Sequence, residues 1–284
     1  MTGFGRGKLI LCGEHAVVYG HPALAAAIDL GVRVDLTPHD GPTHAPGADT
    51  RLTAALRVAL PERGWRVSIT SDLPVGRGMG SSAALSVALV RAAAAIEGHR
   101  PTAAEVYDRA FAIERVFHGN PSGLDHAVSD RGGLIRYRRG PPAELSSLPP
   151  PSWSFVVLDS GTAGDTKALV AGVASRRPAI DEDLDAIGAL VADAEAALHD
   201  VERLGPILDR NHALLAAIGV STPKLDALAA ALREAGAAGA KLAGAGGGGV
   251  VLGITDDPDG VRGRLAQRGI VALTCRPAPT RETP

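Results

Sequence analysis

Pro74-Val-Gly-Arg-Gly-Met-Gly-Ser-Ser-Ala-Ala84 is the stretch that decides the fold of this chain. Three glycines, Gly76, Gly78 and Gly80, lead from a segment with β-branched residues into an Ala- and Leu-rich run. That run, Ser81 to Ile96, contains no Pro or Gly, and Gly98 follows it. The pattern predicts a strand, a tight loop and then a buried helix that stops at a glycine.

A loop of this kind is suited to holding a phosphate group. Glycines let the backbone approach an anion, and the first helical N–H groups and the helix dipole attract it with about half a positive charge. Ser81 and Ser82 add hydroxyl groups. No Lys follows the last glycine, so the loop is not a Walker A motif, and Ser81 replaces the third glycine of a dinucleotide fingerprint. Taken alone, the segment is equally compatible with an ordinary strand-to-helix turn.

The rest of the chain predicts an α+β protein. A stretch with five prolines, Arg138 to Ser152, reads as a loop and predicts a boundary between domains 1–150 and 151–284. The predicted strands are Lys8–Cys12, Gly31–Leu36, Trp65–Thr70, Ser154–Asp159, Val250–Thr255 and Ile270–Cys275. The predicted helices include one from the capping box at Thr102 to Gly119, one long helix carrying the apolar stripe from Leu184 to Val201, and one over Lys224–Ala235.

Two carboxylates and a lysine are candidates for chemistry. Glu114 lies near the end of its helix, and Asp125 lies in a turn-rich segment that we expect to be irregular. One carboxylate can hold Mg²⁺ while the other accepts the proton of an alcohol, as phosphoryl transfer requires. The alternative is that both are caps or solvated groups and that Lys8 extends to solvent.

A second glycine run, Gly244 to Gly249, matches the pattern G-x-G-x-x-G. The predicted strand Val250–Thr255 follows it, whereas a dinucleotide-binding fold requires a helix there, so we reject that fold. The run predicts either a loop that lies over phosphates or substrate, or a flexible lid.

Composition excludes several classes of protein. The chain has 284 residues, 45% of them hydrophobic, which suits a packed globular protein. It carries 29 Lys and Arg against 31 Asp and Glu, so nucleic acid is not an expected partner. Its two cysteines form no Cys-x-x-Cys pair, which predicts a reducing, cytoplasmic location. No window resembles a membrane span or an export signal.

Three segments together resemble the motifs of the GHMP kinase family, in matching order and spacing. They are Gly7-Lys-Leu-Ile-Leu-Cys-Gly-Glu-His-Ala-Val-Val-Tyr-Gly20, Leu73 to Ala84, and Lys241-Leu-Ala-Gly-Ala-Gly-Gly-Gly-Gly249. Within the family, the runs Gly13–Gly20, Glu114–Asp125 and Asp165–Val170 resemble mevalonate kinases, in a form similar to the bacterial one, rather than galactokinases or homoserine kinases. Arg6 is a departure, because the first motif often has Pro or Ser there.

The resemblance implies a fold and a set of site residues. The implied fold is two-lobed, with an N-terminal ribosomal protein S5 domain 2-like lobe and a C-terminal ferredoxin-like α/β sandwich lobe. Asp125 matches the catalytic base, Lys8 the lysine beside it, and Ser82 and Glu114 the Mg²⁺ ligands. Implied ATP contacts are Lys8, Ser71, Pro74, Gly76, Arg77, Gly78, Met79, Gly80, Ser81 and Ser82, and implied acceptor contacts are Glu14, His15, Thr166, Gly246 and Gly247.

The implied activity is phosphorylation of the primary alcohol of mevalonate by ATP, a step in isoprenoid precursor synthesis, by a homodimer. A sister kinase acting on phosphomevalonate, a sugar or an amino-acid alcohol is the first alternative. A non-catalytic member that binds nucleotide and regulates a partner is the second, and a decarboxylase of the same pathway is the third.

Overall fold

The chain folds around two antiparallel β-sheets that are covered by helices. The computed structural model describes residues 1–119, 121–141 and 143–281, so the last three residues of the predicted second domain lie outside the described part. The strands of the first sheet are β1 (Thr2–Cys12), β2 (Pro22–Pro38), β3 (Trp65–Ser71), β4 (Leu134–Arg138) and β5 (Glu144–Leu148). Those of the second are β6 (Ser154–Asp159), β7 (Gly239–Leu242), β8 (Val250–Thr255) and β9 (Leu273–Cys275).

The helices fall into two groups along the chain. Between the strands of the first sheet lie a short 3₁₀ turn (Ala16–Tyr19), α1 (Thr50–Ala59), α2 (Ser81–Ile96), α3 (Ala103–His118) and α4 (Leu124–Arg131). Among the strands of the second lie α5 (Thr166–Arg176), α6 (Asp181–Ala196), α7 (Val201–Ala217), α8 (Pro223–Glu234) and α9 (Pro258–Gln267). None of the helices in the described ranges is long and apolar enough to cross a bilayer.

The long strand β2 organises the first sheet. β1 pairs with it along one side, while β4 pairs with its first half and β3 with its second half on the other side. β5 extends the sheet beyond β4. The second sheet has the strand order β7-β8-β6-β9.

Small residues bring α2 unusually close to β1. A Cβ atom added at Gly5 would lie 1.9 Å from the carbonyl oxygen of Ala84, and one added at Gly3 would lie 1.9 Å from that of Ala88. Neither glycine can therefore carry a side chain unless the helix moves away. This seam fixes the position of α2, and with it the loop that precedes Ser81.

The two sheets share hydrophobic core. One buried cluster contains Leu9 and Leu24 of the first sheet together with Leu190 of α6, Leu208 of α7 and Val250 of β8. The C-terminal tail also returns to the first sheet, where the backbone N–H of Ala278 donates to the carbonyl of Ala27. The division at residue 150 falls between β5 and β6 and stays a prediction, because the second half packs closely on the first.

The predicted α+β class and several elements are confirmed. α2 and β8 have the predicted bounds, and the side chain of Thr102 caps α3 as expected. Other predictions were wrong. The stripe from Leu184 to Val201 runs over α6, a short connection that holds Leu198, and the start of α7, because Asp200 accepts a hydrogen bond from the N–H of Arg203 and starts a new helix. The proline-rich loop also contains β5, since its prolines flank the strand rather than interrupt it.

Candidate active site

Lys8 and Asp125 form the centre of the candidate site. The Lys8 Nζ atom lies 3.3 Å from Asp125 Oδ1, and the two side chains are 5% and 38% exposed. β1 therefore delivers a nearly enclosed ammonium group to a carboxylate that remains open to a ligand. The sequence placed both residues in one site, and the structure brings them together.

Asp125 lies in the first turn of α4, which corrects the expectation of an irregular segment. The turn-rich sequence ends at Gly123, whose φ of 91° precedes the helix, and Leu124, Ala127 and Val128 then form a buried apolar face. The first turn of a helix attracts negative charge. The helix start thus holds the carboxylate in place beside Lys8.

The glycine loop wraps over Lys8. The backbone N–H of Lys8 donates to the carbonyl of Met79 at 2.9 Å. A Cβ atom at Gly80 would lie 2.7 Å from Lys8 Cγ, and the φ of Gly80 is +75°. Gly80 must therefore be glycine for two reasons, the left-handed backbone and the packing against Lys8.

The start of α2 has the features of an anion site. Gly80 is its N-cap and supplies no side-chain oxygen, so the N–H groups of the first turn, at Ser81 and Ser82, have no side-chain cap. Gly76 and Gly78 also have positive φ values, of 71° and 84°. The loop, the free N–H groups and the helix dipole together favour a phosphate.

Glu114 and Ser82 form a second cluster beside the same helix start. Glu114 is 2% exposed and accepts hydrogen bonds from Ser86 Oγ at 3.0 Å and from Ser82 Oγ at 3.4 Å. Burial, with the nearby charge of Asp125 as a second cause, raises the pKa of Glu114 to about 7. The Glu114 carboxylate and the Ser82 hydroxyl are hard oxygen donors, the kind that a divalent cation such as Mg²⁺ prefers.

Sequence reasoning missed two members of this cluster. His118 Nε2 lies 2.9 Å from Ser82 Oγ, and Ser86 Oγ donates a hydrogen bond to Glu114 Oε1. Burial lowers the pKa of His118. The available signal was helical spacing, because His118 follows Glu114 by four residues on α3 and Ser86 follows Ser82 by four on α2.

The second glycine run packs against the first. A Cβ atom at Gly249 would lie 2.8 Å from the carbonyl oxygen of Arg77, and one at Gly78 would lie 3.2 Å from that of Ala243. The N–H of Gly247 donates to Val220 at 2.8 Å, and a Cβ atom at Gly246 would lie 2.1 Å from the same carbonyl. The run is thus a close-packed support for the phosphate loop, and acceptor contacts from Gly246 and Gly247 stay predictions.

The remaining predicted nucleotide contacts differ in their surroundings. Arg77 reaches the end of β6 in the second sheet. Its Nε atom lies 3.3 Å from Asp159 Oδ2, and its Nη2 atom donates to the carbonyl of Gly161 at 3.1 Å. The Met79 side chain is fully buried in the core, so only its backbone faces the loop. Ser71 Oγ is bonded to the backbone of Leu73, and Pro74 is half-buried where the loop begins.

The residues predicted to contact the acceptor do not form one cluster with each other in the described contacts. The Glu14 carboxylate forms an ion pair with Lys241 and accepts a hydrogen bond from Asn211 at 3.1 Å, so neither of its oxygens is free. His15 has a positive φ of 59°, and its Nε2 atom lies 2.9 Å from the carbonyl oxygen of Ala245. Burial lowers the pKa of His15. Thr166 is exposed at the start of α5.

Comparison with known proteins points to one family. Residues 50–133 match the family model described as GHMP kinases N terminal domain, and residues 186–270 match GHMP kinases C terminal. The mevalonate kinase of Thermococcus sibiricus is 37% identical in an alignment that covers 88% of this chain and 87% of that relative.

Solved structures agree with this. The L. major mevalonate kinase in complex with R-mevalonate is 28% identical and has a TM-score of 0.84, covering 99% of this chain and 97% of that chain. The Methanococcus jannaschii mevalonate kinase has a TM-score of 0.86 over 99% of this chain and 98% of that chain, and at 23% identity it shows the shared fold alone.

Proposed function

Because the chain belongs to the GHMP kinase family, we propose that it transfers the γ-phosphoryl group of ATP to the primary alcohol of mevalonate, giving 5-phosphomevalonate and ADP. The observation that carries this proposal is the pair of Lys8 and Asp125, 3.3 Å apart, beside the uncapped start of α2. That arrangement offers a proton acceptor, a cation and a phosphate site in one place. The family supplies the use of ATP, and the mevalonate kinases among its relatives suggest the acceptor.

Asp125 is proposed to accept the proton of the attacking hydroxyl. Its side chain is 38% exposed, so an alcohol can reach it, while the neighbouring Lys8 is nearly enclosed. An enclosed ammonium group interacts strongly with the negative charge that develops on the attacking oxygen, because little water screens it. Phosphoryl transfer with a loose transition state needs little proton removal before attack, so a mechanism in which Asp125 only orients the hydroxyl is the alternative.

The phosphate loop is proposed to hold the ATP phosphates. The N–H groups at Ser81 and Ser82 point outward from the helix start, and the glycines before them let the backbone approach. Gly249 packs close to the carbonyl of Arg77, and Gly78 packs close to the carbonyl of Ala243, so the second glycine run supports this loop. Such fixed donors stabilise charge without reorganising during the reaction.

Ser82 and Glu114 are proposed to hold Mg²⁺. Their oxygen atoms lie 3.4 Å apart, and the raised pKa of Glu114 reflects a buried carboxylate that a cation would compensate. When bound, the ion would neutralise charge on the ATP phosphates. His118, which contacts Ser82, is placed to orient that hydroxyl.

An assay of ADP release tests the proposal. Purified protein with Mg²⁺ and ATP is supplied in turn with mevalonate, phosphomevalonate, galactose and homoserine, and mevalonate is expected to give the highest kcat/KM. Release above background with another alcohol alone would assign a sister activity of the same family. No release with any alcohol, together with ordinary nucleotide binding, would support a non-catalytic regulator.

Two further expectations stay predictions. A homodimer is expected from the habit of the family, and light scattering in solution tests it. A cytoplasmic location is expected from the cysteine content, and cell fractionation tests it.

A further inference from the structure

A cavity lies near the C-terminal end of α2, opposite the end that carries the phosphate loop. Its volume is about 410 Å³, within the usual range for small-molecule sites. It is formed by the start of β1, the second half of α2, the connection to α3, the end of α4 and the C-terminal tail. The lining includes Arg6, Arg91, His99, Arg100, Asp130 and Arg281.

The lining is strongly cationic. Four arginines face one carboxylate, Asp130, among the described residues of the wall. Asp130 is already shared, because it accepts hydrogen bonds from Arg91 at 2.6 Å and from Arg281 at 2.7 Å. One negative charge therefore offsets two positive ones, and a positive excess remains.

Two of the arginines have no partner among the residues that the structure describes. Within residues 1–119, 121–141 and 143–281, neither Arg6 nor Arg100 makes a side-chain hydrogen bond or ion pair. Arg6 is half-buried, and this burial lowers its pKa, although the charge of Asp29 opposes the effect. A half-buried guanidinium group without a partner is costly, so the site favours an anion that would supply one.

The cations also repel one another. Burial lowers the pKa of Arg91, and the charges of Arg281 and Arg6 lower it further while Asp130 opposes them. Glu97 and Glu105, which contact the lining residue His99, also pair with Arg109. They are therefore not available to neutralise the arginines of the cavity.

We propose that this cavity binds a compact phosphate-bearing small molecule with at least two negative charges, through Arg6, Arg91, Arg100 and Arg281. Guanidinium groups bind phosphate oxygens in pairs of parallel hydrogen bonds. Arg91 and Arg281 already donate to Asp130 and to backbone carbonyls, so they contribute mainly charge, whereas Arg6 and Arg100 have no acceptor among the described residues. The small volume of the cavity and the net charge of −2 of the whole chain do not suit a nucleic acid. The cavity shares no residue with the candidate active site.

Calorimetric titration with pyrophosphate tests the proposal. The protein is first saturated with a non-hydrolysable ATP analogue, so that the glycine loop is already occupied, and no metal ion is added with the probe. One binding event is expected. The double variant Arg6→Ala/Arg100→Ala is expected to weaken pyrophosphate binding at least about tenfold, because charge-assisted hydrogen bonds are lost.

Matched variants make the result specific. Arg57→Ala removes an exposed arginine on α1, outside the cavity, and is expected to leave the pyrophosphate affinity unchanged. Arg100→Ala alone keeps the test independent of β1 packing, since Arg100 is exposed in a loop. All variants are expected to bind the ATP analogue as the parent does.

Three outcomes would overturn the proposal. They are no pyrophosphate binding to the nucleotide-saturated protein, equal binding by the double variant and the parent, and equal affinity for malonate, a dianion without phosphorus.

Discussion

Glu14 and Lys241 form an ion pair between the two lobes that is almost completely closed to solvent, with side chains 1% and 0% exposed. Lys241 also donates to the carbonyls of Ile10 and Leu242, and Asn211 donates to Glu14, so both charges are hydrogen-bonded. Removing one partner of such a pair leaves an uncompensated buried charge. The pair therefore joins the turn after β1 to β7 only while both members are present.

We expect Lys241→Ala to lower the free energy of unfolding by about 3–5 kcal/mol, because the Glu14 carboxylate would remain buried without its cation. Urea unfolding monitored by circular dichroism measures the change. Arg262→Ala is the control, since its pair with Asp259 is exposed and should contribute only about 0–1 kcal/mol. A loss no larger than that of the control would contradict this view of the Glu14 pair.

Asp125→Asn is expected to lower kcat by about 10²–10⁴-fold, because an amide cannot accept the hydroxyl proton. Lys8 is nearly enclosed and would lose its partner charge, so the melting temperature should also fall, and kcat is compared at a temperature where both proteins are folded. Asp108→Asn, the same substitution at an exposed position on α3, should leave kcat unchanged. If Asp125→Asn kept the kcat of the parent, the carboxylate would serve only to orient the hydroxyl.

Gly80→Ala is expected to lower kcat by about 10²-fold, since the new Cβ atom would displace the Lys8 side chain and small misplacements of catalytic groups are costly. Gly76→Ala is the matched control. Gly76 has a similar φ of 71°, yet a Cβ atom there meets nothing within 4 Å. Steady-state kinetics of both variants separates the contact with Lys8 from the cost of a left-handed backbone, and equal losses would show that the contact is unimportant.

Glu114→Gln is expected to stabilise the metal-free protein at pH 8 by about 1–3 kcal/mol relative to the parent, and the gain should vanish toward pH 4. Because the pKa of Glu114 is raised to about 7, the folded parent holds a proton that the unfolded chain has lost between the ordinary value of 4.5 and 7. The parent thus loses stability as pH rises through this window, whereas Gln does not titrate.

Urea unfolding at pH 4, 6 and 8 without metal measures the Glu114 effect. Glu62→Gln, at an exposed position, should show no such trend. A stability difference that is the same at all three pH values would mean that Glu114 is not protonated in the folded protein.

Local signals predicted the elements that carry the candidate site. The run from Ser81 to Ile96 contains no Pro or Gly and begins after a glycine loop, so both ends of α2 were readable. The apolar stripe past Ala196 was misleading, because periodicity continues across a break that the cap at Asp200 decides. Asp125 was assigned to a turn because turn-forming residues precede it, whereas the helix begins directly after them at Leu124.

Contacts between distant segments were not readable. Glu14 was placed in the acceptor pocket by its motif, whereas its partner Lys241 lies 227 residues away in the sequence. No local pattern predicts that these two side chains meet. The same holds for the cavity at the end of α2, where Arg6, Arg91 and Arg281 come from three separate parts of the chain.

The seam of Gly3 and Gly5 against Ala84 and Ala88 has a consequence for redesign. It fixes the distance between α2 and β1, and with it the position of the glycine loop that precedes Ser81. A methyl group added at Gly3 or Gly5 would push α2 away from β1 and so displace the glycine loop. Attempts to change the acceptor should therefore leave Gly3 and Gly5 unchanged. The exposed segment that leads into α5, which includes Thr166, is the better place for substitutions.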